Sequence, residues 1–206
     1  MNEGLAADER LAPAEDAGDL GLLIASTRYF WLRFGSSLQD EPARAQAADP
    51  VDDHVTAAVR AALDSVPRAS KVRFSHESPP LPIQRIAELA GFARLSPARL
   101  SVHPVYGPWV ALRAVAVVAV QGPEAADLPE LHDPCPGCPG GCADIFRRVV
   151  SVSPDRPGAV ALARDWTDWL AVRDACPVGR EHRYSDDQIR YGYTKARAVL
   201  DALARA

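Results

Sequence analysis

Arg113 is the first residue whose setting asks for chemistry. It interrupts Val110 to Val120, a β-branched and apolar run with apolar side chains on both faces, as in the centre of a sheet. A guanidinium placed there is shielded from water, and a shielded charge needs a carboxylate or a phosphate. One reading is an internal ion pair, with Asp165 or Asp168 as partner. The other is a pocket arginine that grips the anionic group of a ligand. On the residues alone, structural pairing is the commoner outcome.

Trp166, Trp169 and Arg173 are spaced by three and four, which puts them on one face of a helix. Such aromatics ordinarily build core. Two indoles and a guanidinium on one stripe also make a flat platform for a large planar ligand with an anion clamp beside it. The turn His103-Pro-Val-Tyr-Gly-Pro-Trp109 adds the rings of Tyr106 and Trp109.

The four cysteines form a third group. Two residues separate Cys135 from Cys138, three separate Cys138 from Cys142, and Cys176 precedes Pro177. In two-cluster ferredoxins the cysteine before proline ligates the cluster of the other motif. By that pattern Cys135, Cys138, Cys142 and Cys176 would hold one [4Fe–4S] cluster. A four-thiolate zinc site fits the same residues. So does a set of free or redox-active thiols in a Pro/Gly loop. Phe146 stands where the next cysteine of a ferredoxin motif would be. His54, His76, His103, His132 and His182 are scattered, and no pair has helix-face ligand spacing.

These residues need elements to position them. Leu20 to Ser26 reads as a first strand, and Phe30, Phe34 and Leu38 predict a helix over Arg28 to Leu38. Asp49 caps a second helix with Pro50 at its first position, Val51, Val55, Val59, Leu63 and Val66 on its apolar face, and Pro67 as its stop. Lys71 to His76 predicts a strand, Ile83 to Ala90 a short helix, Leu100 to His103 a short strand and Val110 to Val120 a central one. No helix or strand is expected within 121–142. The next helix is expected from Ala159 to Ala175. The last opens at Ser185, with Gln188 three residues on as in a capping box, and carries Ile189, Tyr193, Ala196, Leu200 and Leu203 on one face.

Composition bounds the answer. The 206 residues are 48% hydrophobic and 24% charged, enough for a sizeable core. The formal charge is −4, with an acidic excess in the first twenty residues and near balance beyond. That argues against non-specific binding to nucleic acid or to an anionic membrane. All but two of the 23 basic side chains are arginine, the better partner for carboxylate and phosphate. No apolar run approaches the roughly 20 residues of a membrane span. The acidic start does not resemble a secretory leader, so a cytoplasmic protein is expected. Residues 1–17 read as an acidic tail and 18–206 as one domain, with the cysteine motif within 135–176.

Four blocks then carry a resemblance. They are Asp49-Pro-Val-Asp52 at a helix start, His103 through Arg113, Arg164-Asp-Trp166 with Arg173-Asp-Ala175, and Arg183-Tyr-Ser-Asp-Asp-Gln188. In this order they resemble the CblC-type cobalamin-processing proteins over about residues 49–190. The resemblance implies an α+β fold of the nitroreductase and flavin-reductase kind, a sheet flanked by helices, here with a Cys/Pro/Gly-rich loop. It implies cobalamin bound base-off and removal of its upper axial ligand. Cyanide would leave reductively with electrons from FMN or a donor flavoprotein, and alkyl groups would pass to glutathione. Arg113 and Arg173 fall on arginines that hold the glutathione carboxylates, with Arg197 as a third candidate. Tyr106, Trp109, Trp166, Trp169 and Tyr184 are the ring contacts expected for the corrinoid. Two departures stand out. Ala87 to Leu95 lacks the family's tyrosine-rich helix, and the cysteine loop is similar instead to bacterial ferredoxin-like relatives and to epoxyqueuosine reductase. A small ferredoxin-like electron carrier and a structural zinc-loop protein are the alternative functions. A monomer or homodimer is expected.

Overall fold

The computed structural model describes residues 11–12, 19–66, 68, 70–124, 132–152 and 165–206. The elements run β1 (Asp19–Ser26), α1 (Tyr29–Asp40), α2 (Pro50–Asp64), β2 (Ser70–Phe74), α3 (Ile83–Leu89), β3 (Arg94–Leu95), β4 (Ser101–Val102), β5 (Ala111–Gln121), α4 (Cys142–Val152), α5 (Trp166–Asp174), α6 (Asp186–Thr194) and α7 (Arg197–Leu203). This is a mixed α+β chain with small antiparallel sheets. No helix among the described residues is long and apolar enough to cross a membrane. The chain divides into two compact units. One comprises Met1–Ser26, Val51–Arg94 and Ala111–His132; the other comprises Thr27–Pro50, Leu95–Val110 and Asp133–Ala206.

The first unit is built on a three-stranded antiparallel sheet of order β1-β5-β2. The apolar run expected to be central is central, and Ala114 through Val118 are buried. Val115 and Val117 pack with Leu11, Leu81 and Ile86, and Leu23, Ile83 and Leu89 close over them. Pairing between β1 and β5 is not regular. Ile24 lies opposite Ala114 and Ala25 opposite Leu112, so the register skips Arg113. An extra residue of this kind bends a strand and re-aims its side chain. Val66 departs from the expected helix face: α2 ends at Asp64, and Val66 lies past it, 36% exposed. The expected stop at Pro67 lies outside the described residues.

The second unit is mostly helical. Trp31, Phe34 and Leu38 form the buried face of α1, and the Trp31 ring lies 5.8 Å from that of Tyr191 on α6. The single last helix expected from the apolar spacing is two helices. Lys195 takes a left-handed φ of 53°, and the Thr194 hydroxyl donates to Arg190 O while accepting from the Ala196 N–H. That side chain closes one helix and opens the next. Ser185 caps α6 as expected, accepting from the Gln188 N–H at 3.3 Å. A helix that periodicity did not place, α4, begins at Cys142. Of the expected helix Ala159 to Ala175, the described part is α5; residues 159–164, with Arg164 of the third block, lie outside the described residues, as does most of the expected 1–17 tail.

Gly107 fixes the turn that carries Trp109. Its φ is +57°, and a Cβ there would meet Val178 O at 1.9 Å; a Cβ on Gly179 would meet Tyr106 O at 2.5 Å. The backbones of the two segments are therefore in direct contact. Gly107→Ala is expected to cost about 3 kcal/mol or more, from strained φ and a steric clash with no flexible neighbour to yield. Val105→Ala, in the same turn but 55% exposed, should stay within about 0.5 kcal/mol. Urea unfolding of the two variants measures both.

Candidate functional site

Trp109, Tyr184 and Ile189 form a buried cluster in the second unit, with Trp166, Leu170 and Tyr193 packed against it. Trp109 is 1% exposed and meets Tyr184 edge to face at 5.6 Å. Arg173, in the last turn of α5, lays its guanidinium over both rings, 4.6 Å from the Trp109 centroid and 5.2 Å from that of Tyr184. Its Nη2 donates to Pro108 O. Burial pushes the Tyr193 hydroxyl up, and the Arg173 charge opposes that. Among the described residues Arg173 makes no ion pair with a carboxylate. Its charge rests on π faces and a neutral carbonyl oxygen.

The neighbouring acid is already taken. Arg183 donates to Asp174 at 2.8 and 3.3 Å and to Asp186 at 2.8 Å, and its guanidinium lies 5.6 Å from the Trp109 centroid. The two carboxylates raise the Arg183 pKa further above its ordinary value. This clamp fixes the segment that carries Tyr184. Sequence reasoning did not single out Arg183 as a site residue. Gln188 was read only as a capping residue, and the structure uses half of that box. Gln188 is 8% exposed, and its buried Oε1 has no hydrogen-bond partner among the described residues.

The expected stripe of Trp166, Trp169 and Arg173 is divided. Trp166 and Arg173 join the cluster, with the Trp166 ring 6.3 Å from Tyr193. Trp169 turns to α4, where it meets Phe146 at 6.2 Å. Tyr106 stands apart, between His103 at 4.9 Å and His182 at 4.7 Å. Arg197 is spent on the carbonyls of Ala45 and Ala48. Arg113 belongs to the first unit; it is half-buried, and its Nε donates to Ser26 Oγ at 2.9 Å.

The cysteines lie in the second unit. Cys135 and Cys138 close a turn through the Cys138 N–H and Cys135 O at 3.0 Å. Cys176 is buried just beyond α5. Burial, with Asp133 and the other thiols adding to it, pushes the Cys135 thiol up to about 11. Burial also raises Cys142 and Cys176. Among the described residues no group of three or more His, Cys, Asp or Glu stands in metal-ligating geometry. An open groove of roughly 520 Å3 runs beside Cys135, between Leu95–Pro97 with Arg99 and Asp133 with Pro136.

The turn under Trp109 has a pH dependence of definite sign. His103 Nδ1 accepts the N–H groups of Val105 at 3.0 Å and Tyr106 at 3.2 Å, so it must be unprotonated. Burial lowers the His103 pKa, and His182 lowers it further. A depressed histidine pKa gives stability that is present above the unfolded value of about 6.5 and lost as pH falls through the folded one. Urea unfolding at pH 7.5 and 5.5 should show wild-type stability falling with acidification. His103→Asn should flatten that slope; an unchanged slope would place the titration elsewhere.

No family model matches the sequence, and no curated protein matches it. The fold is similar to that of the B12-trafficking protein CblC of C. elegans, a homologue of human MMACHC. The TM-score is 0.58 at 18% identity, over 96% of this chain and 83% of that one. At that identity the likeness is one of fold.

Proposed function

We propose that the chain binds cobalamin base-off and removes its upper axial ligand. The observation that carries this reading is convergence. The block that carries Trp109 lies far in sequence from the two that carry Arg173 and Tyr184, yet the three side chains meet in one cluster. The CblC-like fold supports it.

The residues fit a corrinoid and a thiol co-substrate. The corrinoid's rim of amide side chains supplies N–H donors, which the buried Gln188 Oε1 lacks. Arg173 offers a preorganised cation without a carboxylate competitor among the described residues, as an anionic co-substrate requires. Glutathione is such a co-substrate. In the thiol reaction its thiolate attacks the alkyl carbon, a carbon–sulfur bond forms, and the cobalt–carbon pair stays on cobalt. In the reductive reaction FMN or a donor flavoprotein supplies the electron, and cyanide leaves with its pair. Trp166, packed against the cluster, supplies further aromatic surface in this reading. The role of the chain is binding, exclusion of water and placement of the thiol.

Hydroxo- or methylcobalamin added to the protein at micromolar concentration should shift to the base-off absorption spectrum; no change with either would overturn the proposal. Arg173→Met should slow glutathione-dependent demethylation by about 10- to 100-fold, the worth of one charged hydrogen bond. Corrinoid affinity should stay within about threefold. An equal loss of affinity and of thermal stability would make Arg173 a structural residue instead.

A further inference from the structure

Two guanidiniums lie by the Trp109 ring, and they are in opposite states. That of Arg173, 4.6 Å from the ring centroid, makes no ion pair with a carboxylate among the described residues. That of Arg183, 5.6 Å from the same centroid, is spent on carboxylates through all three of its nitrogens. Its Nε and Nη2 donate to the two oxygens of Asp174 at 2.8 and 3.3 Å, and its Nη1 donates to Asp186 at 2.8 Å. The fork on Asp174 is the bidentate arrangement that a guanidinium favours and an ammonium does not make.

The two carboxylates differ in what their charges reach. Asp186 is 91% exposed, so water screens it. Asp174 is 38% exposed and follows Arg173 directly in the chain. Residues one apart on a helix do not face each other. Their charges nevertheless act on one group: burial raises the pKa of the Tyr193 hydroxyl, the Arg173 charge lowers it, and the Asp174 charge raises it. Without its partner, the Asp174 carboxylate would subtract from the positive field around Arg173.

We infer that Arg183 is a positioning residue for an anionic co-substrate: by holding and neutralising Asp174, it keeps the Arg173 guanidinium attractive to a carboxylate. The inference rests on the reading above, in which Arg173 receives the carboxylate of a thiol. Arg183 acts through Asp174 rather than on the thiol itself. A thiol that bears a carboxylate is thereby favoured over a neutral one of similar size, and the preference depends on Arg183. A purely structural clamp makes a different demand. Arg183→Gln and Asp174→Asn break the same pair, so a clamp that only braces the segment of Tyr184 would be damaged alike by both. If charge is what matters, the two act in opposite directions. The first leaves a carboxylate without its cation, and the second leaves a cation without that carboxylate.

The test is isothermal titration calorimetry of the full chain, with and without hydroxocobalamin. The probe is S-methylglutathione, the thioether that the thiol reaction releases from methylcobalamin; it keeps the glutathione carboxylates and has no thiol left to react. Arg183→Gln should weaken its binding by about tenfold, and Asp174→Asn should tighten it by about threefold. The double variant should return to within about threefold of wild type. Weakening by both single variants, no weakening by Arg183→Gln, or no saturable binding by the wild-type chain in either condition overturns the inference. The cobalamin absorption spectrum is recorded for each protein alongside. A wild-type chain that binds S-methylglutathione but leaves cobalamin base-on overturns the cobalamin reading alone, and the variant series still decides on Arg183.

Discussion

A guanidinium taken half out of water must recover its lost hydration from something. Arg173 recovers it from two ring faces and a backbone carbonyl, while the adjacent carboxylate of Asp174 is held by Arg183. Much of the second unit's local structure serves this arrangement. Trp109 can lie under Arg173 because the turn before it is pinned by His103 Nδ1 and by the Gly107–Gly179 backbone contact. Tyr184 can flank it because Arg183 clamps Asp174 and Asp186 and Ser185 caps α6. Each support is polar or steric and leaves the aromatic surfaces themselves to the cluster.

The same helix is tied at its other flank to the cysteine loop. Trp169 packs on Phe146, and Cys176 follows α5 with its N–H bonded to Arg173 O at 3.1 Å. One short helix therefore joins an aromatic–cation cluster and a group of thiols.

Much of this was legible in the sequence. The central strand, α1, α2 and the capped start of α6 follow from period and capping residues, since apolar faces and N-caps are local properties. The clustering of Trp109, Arg173 and Tyr184 was readable only through the resemblance, because their contact joins segments far apart in the chain. Three features were not readable. The bulge at Arg113 depends on how β1 pairs with β5, which no pattern within one strand records. The break at Lys195 depends on the Thr194 hydroxyl choosing backbone partners over solvent. α4 follows a Pro/Gly/Cys stretch, and its β-branched residues at 145, 149, 150 and 152 disguise a helix. The sequence also grouped Trp169 with Arg173 by spacing alone, whereas the packing partner Phe146 decides where that ring goes.

The central claim is that the Arg173 charge is held by rings and is available to an anionic ligand. Nitrogen-15 NMR of the arginine Nε–H groups tests it most directly, with Arg173→Met used to assign the resonance. The account predicts an Arg173 Nε–H proton shifted upfield by the Trp109 and Tyr184 ring currents, slow to exchange with water, and moving on addition of cobalamin with glutathione. A resonance at the position of an exposed arginine, unmoved by either ligand, would contradict it.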